Sequence, residues 1–149
     1  MRSLIALFVF AVSFSSFAFV PEQQCKDVKG NVIDSSLTTV SKIMNSHSNR
    51  PQIYITGTIT QVEQEDHSGL PHQKFSVKIG TGTNLQIVSN LDFGRIPVAV
   101  GQTVSVCGEY LHVGQGMVHW THFDPHGGHA DGFTILNGTL YGDKEVPVN

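Results

Sequence analysis

Gln52-Ile53-Tyr54-Ile55-Thr56-Gly57-Thr58-Ile59-Thr60 is the stretch on which the fold turns. Ile53, Ile55, Gly57 and Ile59 fall on one face of an extended chain, and Tyr54, Thr56, Thr58 and Thr60 on the other. That period of two, with β-branched residues on both faces, marks a long half-buried strand. Gly57 gives it a place to bend.

The same pattern recurs downstream. Phe75, Val77 and Ile79 alternate with Lys74, Ser76 and Lys78, and Gly80-Thr81-Gly82-Thr83 reads as a hairpin turn into a return strand at Leu85–Val88. Asn90 to Pro97 is a connection. Val98 to Gln102 leads into a fourth strand carrying Val104, Val106, Gly108 and Tyr110. Met117–His122 is expected as a fifth strand and Phe133–Leu136 as a sixth, with Asn137-Gly138 as a turn. Upstream the period changes to that of a helix. Leu37, Val40, Ile43 and Met44 share one face over 35–47, Asp34 or Ser35 is placed to cap the start, and Asn49-Arg50-Pro51 ends it. One helix followed by five or six short strands predicts a mainly β protein: a small OB-like barrel over 52–142, with a sandwich as the alternative. Residues 19–51 form an N-terminal extension and 143–149 a tail.

Residues 1–18 are different in kind. Arg2 precedes an uncharged apolar run that ends at Ser16-Phe17-Ala18, with small residues where a signal peptidase would need them. They read as a cleaved secretory signal, which places the mature chain in the periplasm or outside the cell. The run is short for a membrane span, and no later stretch is long enough to form one. In an oxidising compartment the two cysteines, Cys25 and Cys107, are expected to bridge and tie the extension to the barrel. The net charge of −3, from nine Lys+Arg against twelve Asp+Glu, argues against strong nucleic-acid binding. The chain is expected to act as a monomer on a ligand that the sequence does not identify.

Chemistry concentrates in His119-Trp120-Thr121-His122-Phe123-Asp124-Pro125-His126-Gly127-Gly128-His129. Four imidazoles and a carboxylate in one short stretch supply the donors a divalent metal needs, zinc above all. In a fully extended strand His119 and His122 would point to opposite faces, so they can converge only if the strand bulges or ends between them. A metal-free His/Asp catalytic site and a purely structural network, with Asp124 accepting from turn amides, are the competing readings. His72, at the start of the second strand, is the remaining candidate. If the site is hydrolytic, His119, His122 and His129 are expected as metal ligands, with Asp124 and His72 in catalytic or orienting roles on a phosphodiester or other polar polymer. The rival is a non-catalytic binding module for an oligosaccharide, a peptide or an envelope partner. No nucleophile elbow, phosphate loop, HExxH helix or CxxC pair is present.

His72-Gln73-Lys74-Phe75, Gly108-Glu109-Tyr110 and the run from His119-Trp120-Thr121-His122 through Asp124-Pro125 to His129 and Gly132 resemble the bacterial family called domain of unknown function 3465. Those are small exported proteins with HQ-[RK]-F and HWTH-x-DP-x-x-x-H stretches. The resemblance covers roughly 52–142. It implies the fold and export but no activity. The chain departs from the pattern at Ser89, Phe123 and Leu136, where members often carry histidines, and Phe133 stands where they often carry tryptophan. A site that used those extra imidazoles would be weakened here.

Overall fold

A computed structural model describes residues 23–66 and 68–143. The expected signal segment 1–18 and most of the 143–149 tail lie outside the described residues. Among those described, no helix is long and apolar enough to cross a membrane.

The elements are α1 (Leu37–Met44), β1 (Gln52–Val62), β2 (His72–Ile79), β3 (Asn84–Asn90), a 3-10 turn (Leu91–Phe93), β4 (Thr103–Leu111), β5 (Met117–His119), β6 (Phe133–Leu136) and β7 (Thr139–Tyr141). The helix is shorter than 35–47. Its N-cap is Ser36, whose side chain accepts from the Thr39 amide, while Asp34 braces the cap by accepting from the Ser36 amide and the Thr39 hydroxyl.

Strands β1-β2-β3-β5-β4 form a closed barrel, because β4 pairs antiparallel with β1 from Gln52↔Glu109 to Thr58↔Thr103. The β3–β5 pair is parallel. The OB-like barrel expected from the sequence is therefore present, and β6 and β7 add two strands outside it. The fifth strand is cut short: it ends at His119 and not at His122.

β1 serves two neighbours at once. At Gly57 it pairs with Ile79 of β2 and Val104 of β4. A Cβ there would come within 2.5 Å of the Lys78 carbonyl oxygen, so the sheet can curl only around a residue without one. Ile53, Ile55, Ile59, Phe75, Val77, Leu85, Ile87, Val104, Val106 and Val118 fill the interior, all essentially inaccessible to solvent. Val40 of α1 joins them.

The other edge of β4 is forked. Glu109–Leu111 pair with β5, and Val104–Cys107 pair with β6. Gly108 lies at the fork, where a Cβ would meet the His119 carbonyl oxygen at 2.5 Å. The segment from Trp120 to Gly132 emerges from this gap. Cys25 and Cys107 form the expected disulfide there, with Cα atoms 5.6 Å apart and both residues buried. A small satellite core of Cys25, Cys107 and Phe133 surrounds it.

Candidate functional site

The site follows from the way β5 ends. Trp120 has φ 51°, a left-handed backbone that residues with a Cβ rarely adopt. That single residue breaks the alternation that would send His119 and His122 to opposite faces. The chain beyond it is then held on both sides. The Gly132 amide donates to the His122 carbonyl at 2.9 Å, and the Phe123 amide donates to the Gly142 carbonyl at 2.7 Å. Gly132 and Gly142 both lie against this segment so closely that a Cβ at either would overlap it.

The indole of Trp120 is the hub. His119 packs edge-on against it with ring centres 4.1 Å apart, and His129 lies at 6.1 Å. His72, at the start of β2, reaches His119 at 5.3 Å. His122 reaches His129 at 4.9 Å and stacks on Phe93 at 4.1 Å. His72, His119, His122 and His129 are thus linked in one group. His126 is exposed and stands outside it. Phe123 is also exposed, whereas Ser89 is buried opposite Gln73 of β2.

Two of the rings have a fixed tautomer. Nδ1 of His122 lies 2.8 Å from the Phe123 carbonyl oxygen, and Nδ1 of His129 lies 2.8 Å from that of Ala130. A carbonyl only accepts, so each Nδ1 carries the proton and the neutral ring keeps its lone pair on Nε2. Nδ1 of His119 is buried and has no hydrogen-bond partner among the described residues. Burial holds the His119 imidazole down to about 4, with smaller contributions from His72, His122, Arg50 and His129. Burial also lowers His122, against the opposing bond to the Phe123 carbonyl.

Asp124 works mainly on its own loop. Oδ1 accepts from the His126 amide and Oδ2 from the amides of Gly128 and His129, and these bonds hold the carboxyl below its ordinary range. Its Oδ2 is 3.9 Å from His129 Nε2, beyond hydrogen-bond reach. Asp131 closes the loop by accepting from the Asp124 amide. Among the described residues, no group of three or more His, Cys, Asp or Glu side chains is arranged to hold a metal ion.

Two participants, Arg50 and Phe93, were not singled out from the sequence, and a third, Glu109, stood there only within the Gly108-Glu109-Tyr110 stretch. Arg50 places its Cζ 3.9 Å above the Trp120 ring centre and its Nε 2.8 Å from Glu109 Oε2. Glu109 is buried on β4 directly opposite His119 of β5. Phe93 comes from the 3-10 turn. Asn49-Arg50-Pro51 read only as a helix stop, and nothing local marks Arg50 as a neighbour of a tryptophan seventy residues on. An open groove of about 1010 Å³ also borders the loop, between the N-terminal hairpin that carries Lys26, Asp27 and Val28 and the segment that carries Asp124, His129 and Asp131.

No curated protein matches the chain. The family model described as "Protein of unknown function (DUF3465)" matches residues 27–142, from the hairpin of the extension through β7. That span includes every residue of the site, and the chain belongs to this family.

Proposed function

We propose that this exported domain binds a divalent metal, zinc, at the His72/His119/His122/His129 group and uses it for metal-assisted hydrolysis of a phosphodiester or other polar polymer. The observation that carries the reading is the pinning of His122 and His129 through Nδ1 to main-chain carbonyls. That is how metal-ligating imidazoles are usually oriented, with the other nitrogen presented bare. Two imidazoles sharing a tetrahedral ion, with zinc–nitrogen bonds of about 2.1 Å, have ring centres about 5 Å apart. The His72–His119 and His122–His129 spacings of 5.3 and 4.9 Å match that separation. The buried, unpartnered Nδ1 of His119 is one more nitrogen in want of a partner. Among the described residues these side chains do not yet form a set arranged to hold a metal ion, so the reading requires the imidazoles to shift toward one another when metal binds.

Export is supported by the apolar N-terminal segment and by the disulfide. A second reading, a binding module without turnover, is favoured by one feature: the half-buried Trp120 indole, a surface on which a sugar or peptide group could stack.

The test is elemental analysis of protein recovered from the periplasm or medium, followed by chelation and zinc replacement. The expected results are zinc retained in stoichiometric amount, a melting temperature that falls on chelation, and loss of both in His122→Ala and His129→Ala. Zinc affinity should fall below about pH 6, where protons compete for the imidazoles. Metal-dependent cleavage of bis(p-nitrophenyl) phosphate tests the hydrolytic step. Protein that retains no zinc, and whose melting ignores both metal and chelator, defeats the metal reading. If a ligand such as a short oligosaccharide nonetheless stabilises it, the binding module takes its place.

A further inference from the structure

A second cavity, of about 420 Å³, opens between the N-terminal extension and the barrel, with Lys29, Ser48, Arg50, Gln52, Glu109 and Ala130 in its wall. Arg50 belongs to this wall and to the histidine group alike, since it and His119 flank the same indole. Its guanidinium is fixed twice, by Glu109 on Nε and by the Trp120 ring beneath Cζ. Its two Nη groups make no hydrogen bond among the described residues, and the side chain is 42% exposed. The backbone that delivers it has φ 51°, an unfavourable setting for any residue with a Cβ. Lys29 adds a second cation, which makes no salt bridge among the described residues, though its charge also acts on the neighbouring Asp27 carboxylate. The acidic groups in the wall are already engaged. Glu109 holds Arg50, and Asp27 accepts from the amides of Lys29 and Asn31 and from the Asn31 side chain.

We propose that this cavity receives the oxyanion end, phosphate or carboxylate, of the ligand handled at the histidine group, with the free Nη edge of Arg50 as its receptor and Lys29 as a supporting charge. The inference deepens the reading above by naming the charged end of the ligand, and it rests on that reading only for what happens to the ligand afterwards. A guanidinium presents paired N–H groups at the spacing of two oxygens on one centre, and one already held in place loses little freedom on binding.

The experiment uses disulfide-bonded, chelator-treated protein, titrated with inorganic phosphate and separately with acetate at constant ionic strength. Trp120 is the single tryptophan, so its fluorescence reads the Arg50 stack directly, and anion-induced melting shifts supply a second readout. Saturable binding is expected, and the tighter of the two anions identifies the chemistry. Arg50→Gln should weaken it by about tenfold or more, and Arg50→Lys, which keeps the charge and loses the fork, by about threefold to tenfold. Lys29→Gln should cost about threefold, and Lys42→Gln, on the helix, nothing. Should Arg50→Gln fail to fold, Arg50→Lys decides. Absence of saturation with either anion, or equal affinity in the Arg50 variants, overturns the proposal. Zinc binding without anion binding removes this inference alone, and anion binding without zinc removes the metal reading alone.

Discussion

His119 lives under two opposed demands. Its main chain must close the short β5 ladder against Glu109, while its ring sits among three other imidazoles and beside a guanidinium. Burial and those neighbours leave it neutral down to about pH 4 in the folded protein, whereas an unfolded histidine titrates near 6.5. Above pH 6.5 both states are neutral and the group adds no pH dependence. Between 6.5 and 4 only the unfolded state takes up the proton, so stability falls as the pH falls, and below 4 this contribution levels off. Because the ring keeps some contact with solvent, which screens part of the effect, the loss expected from His119 in metal-free protein is reduced from about 3 to about 2 kcal/mol between pH 7 and 4. Urea unfolding at pH 7, 5.5 and 4 measures it. His119→Gln should flatten the slope in that window, and an unchanged slope would show that the ring is not held neutral by its surroundings. The histidines of this group were visible in the sequence because their side chains are chemically conspicuous. Arg50 was not, because an arginine before a proline has many ordinary uses, and Glu109 stood out only as part of the Gly108-Glu109-Tyr110 stretch, with nothing local to pair it with Arg50.

The elements are placed by glycines where backbone meets backbone. At Gly108 the fork between β5 and β6 brings the His119 carbonyl to where a Cβ would stand, and at Gly57 the Lys78 carbonyl does the same. Gly82, in the β2–β3 turn, has φ 87° and open space around it. Gly108→Ala should therefore cost about 3 kcal/mol by forcing the fork apart, against about 1 kcal/mol of backbone strain for Gly82→Ala. Urea midpoints of the two variants test the contrast, and equal losses would mean that close approach does not shape the fork. The alternation over Gln52–Val62 and the Gly80–Thr83 turn were legible because strand period and turn chemistry are local properties. The Asn137-Gly138 turn was legible too: both residues adopt positive φ, as a tight hairpin between β6 and β7 requires. The length of β5 was not legible. Thr121 and His122 carry no signal that the strand has stopped, and it stops because Trp120 turns left-handed against Arg50 while β6 and β7 draw the next residues away.

Across the whole molecule, the Cys25–Cys107 bridge spans 82 residues and fastens the extension beside the fork. Closing a loop of that length restricts the unfolded chain by about 4–5 kcal/mol on an entropic model. Guanidinium unfolding of the oxidised protein and of Cys25→Ala/Cys107→Ala should differ by about that amount, less any unfolded-state compaction, and no difference would leave the extension without a role in stability. Both grooves flanking the site use the extension as a wall, so they should be lost with the bridge. The sequence by itself determined the barrel class, the helix ahead of it, the cysteine pair and the crowding of imidazoles into the run from 119 to 129. Those follow from periodicity, turn residues and residue type, all of which act between near neighbours or need only the inventory of the chain. The tertiary structure alone decided where β5 ends, that His119 and His129 flank one indole with His72 and His122 packed against them, and that Arg50 and Glu109 join them. These depend on contacts between segments tens of residues apart, whose register is set only when β4 closes the barrel onto β1 and divides its other edge between β5 and β6.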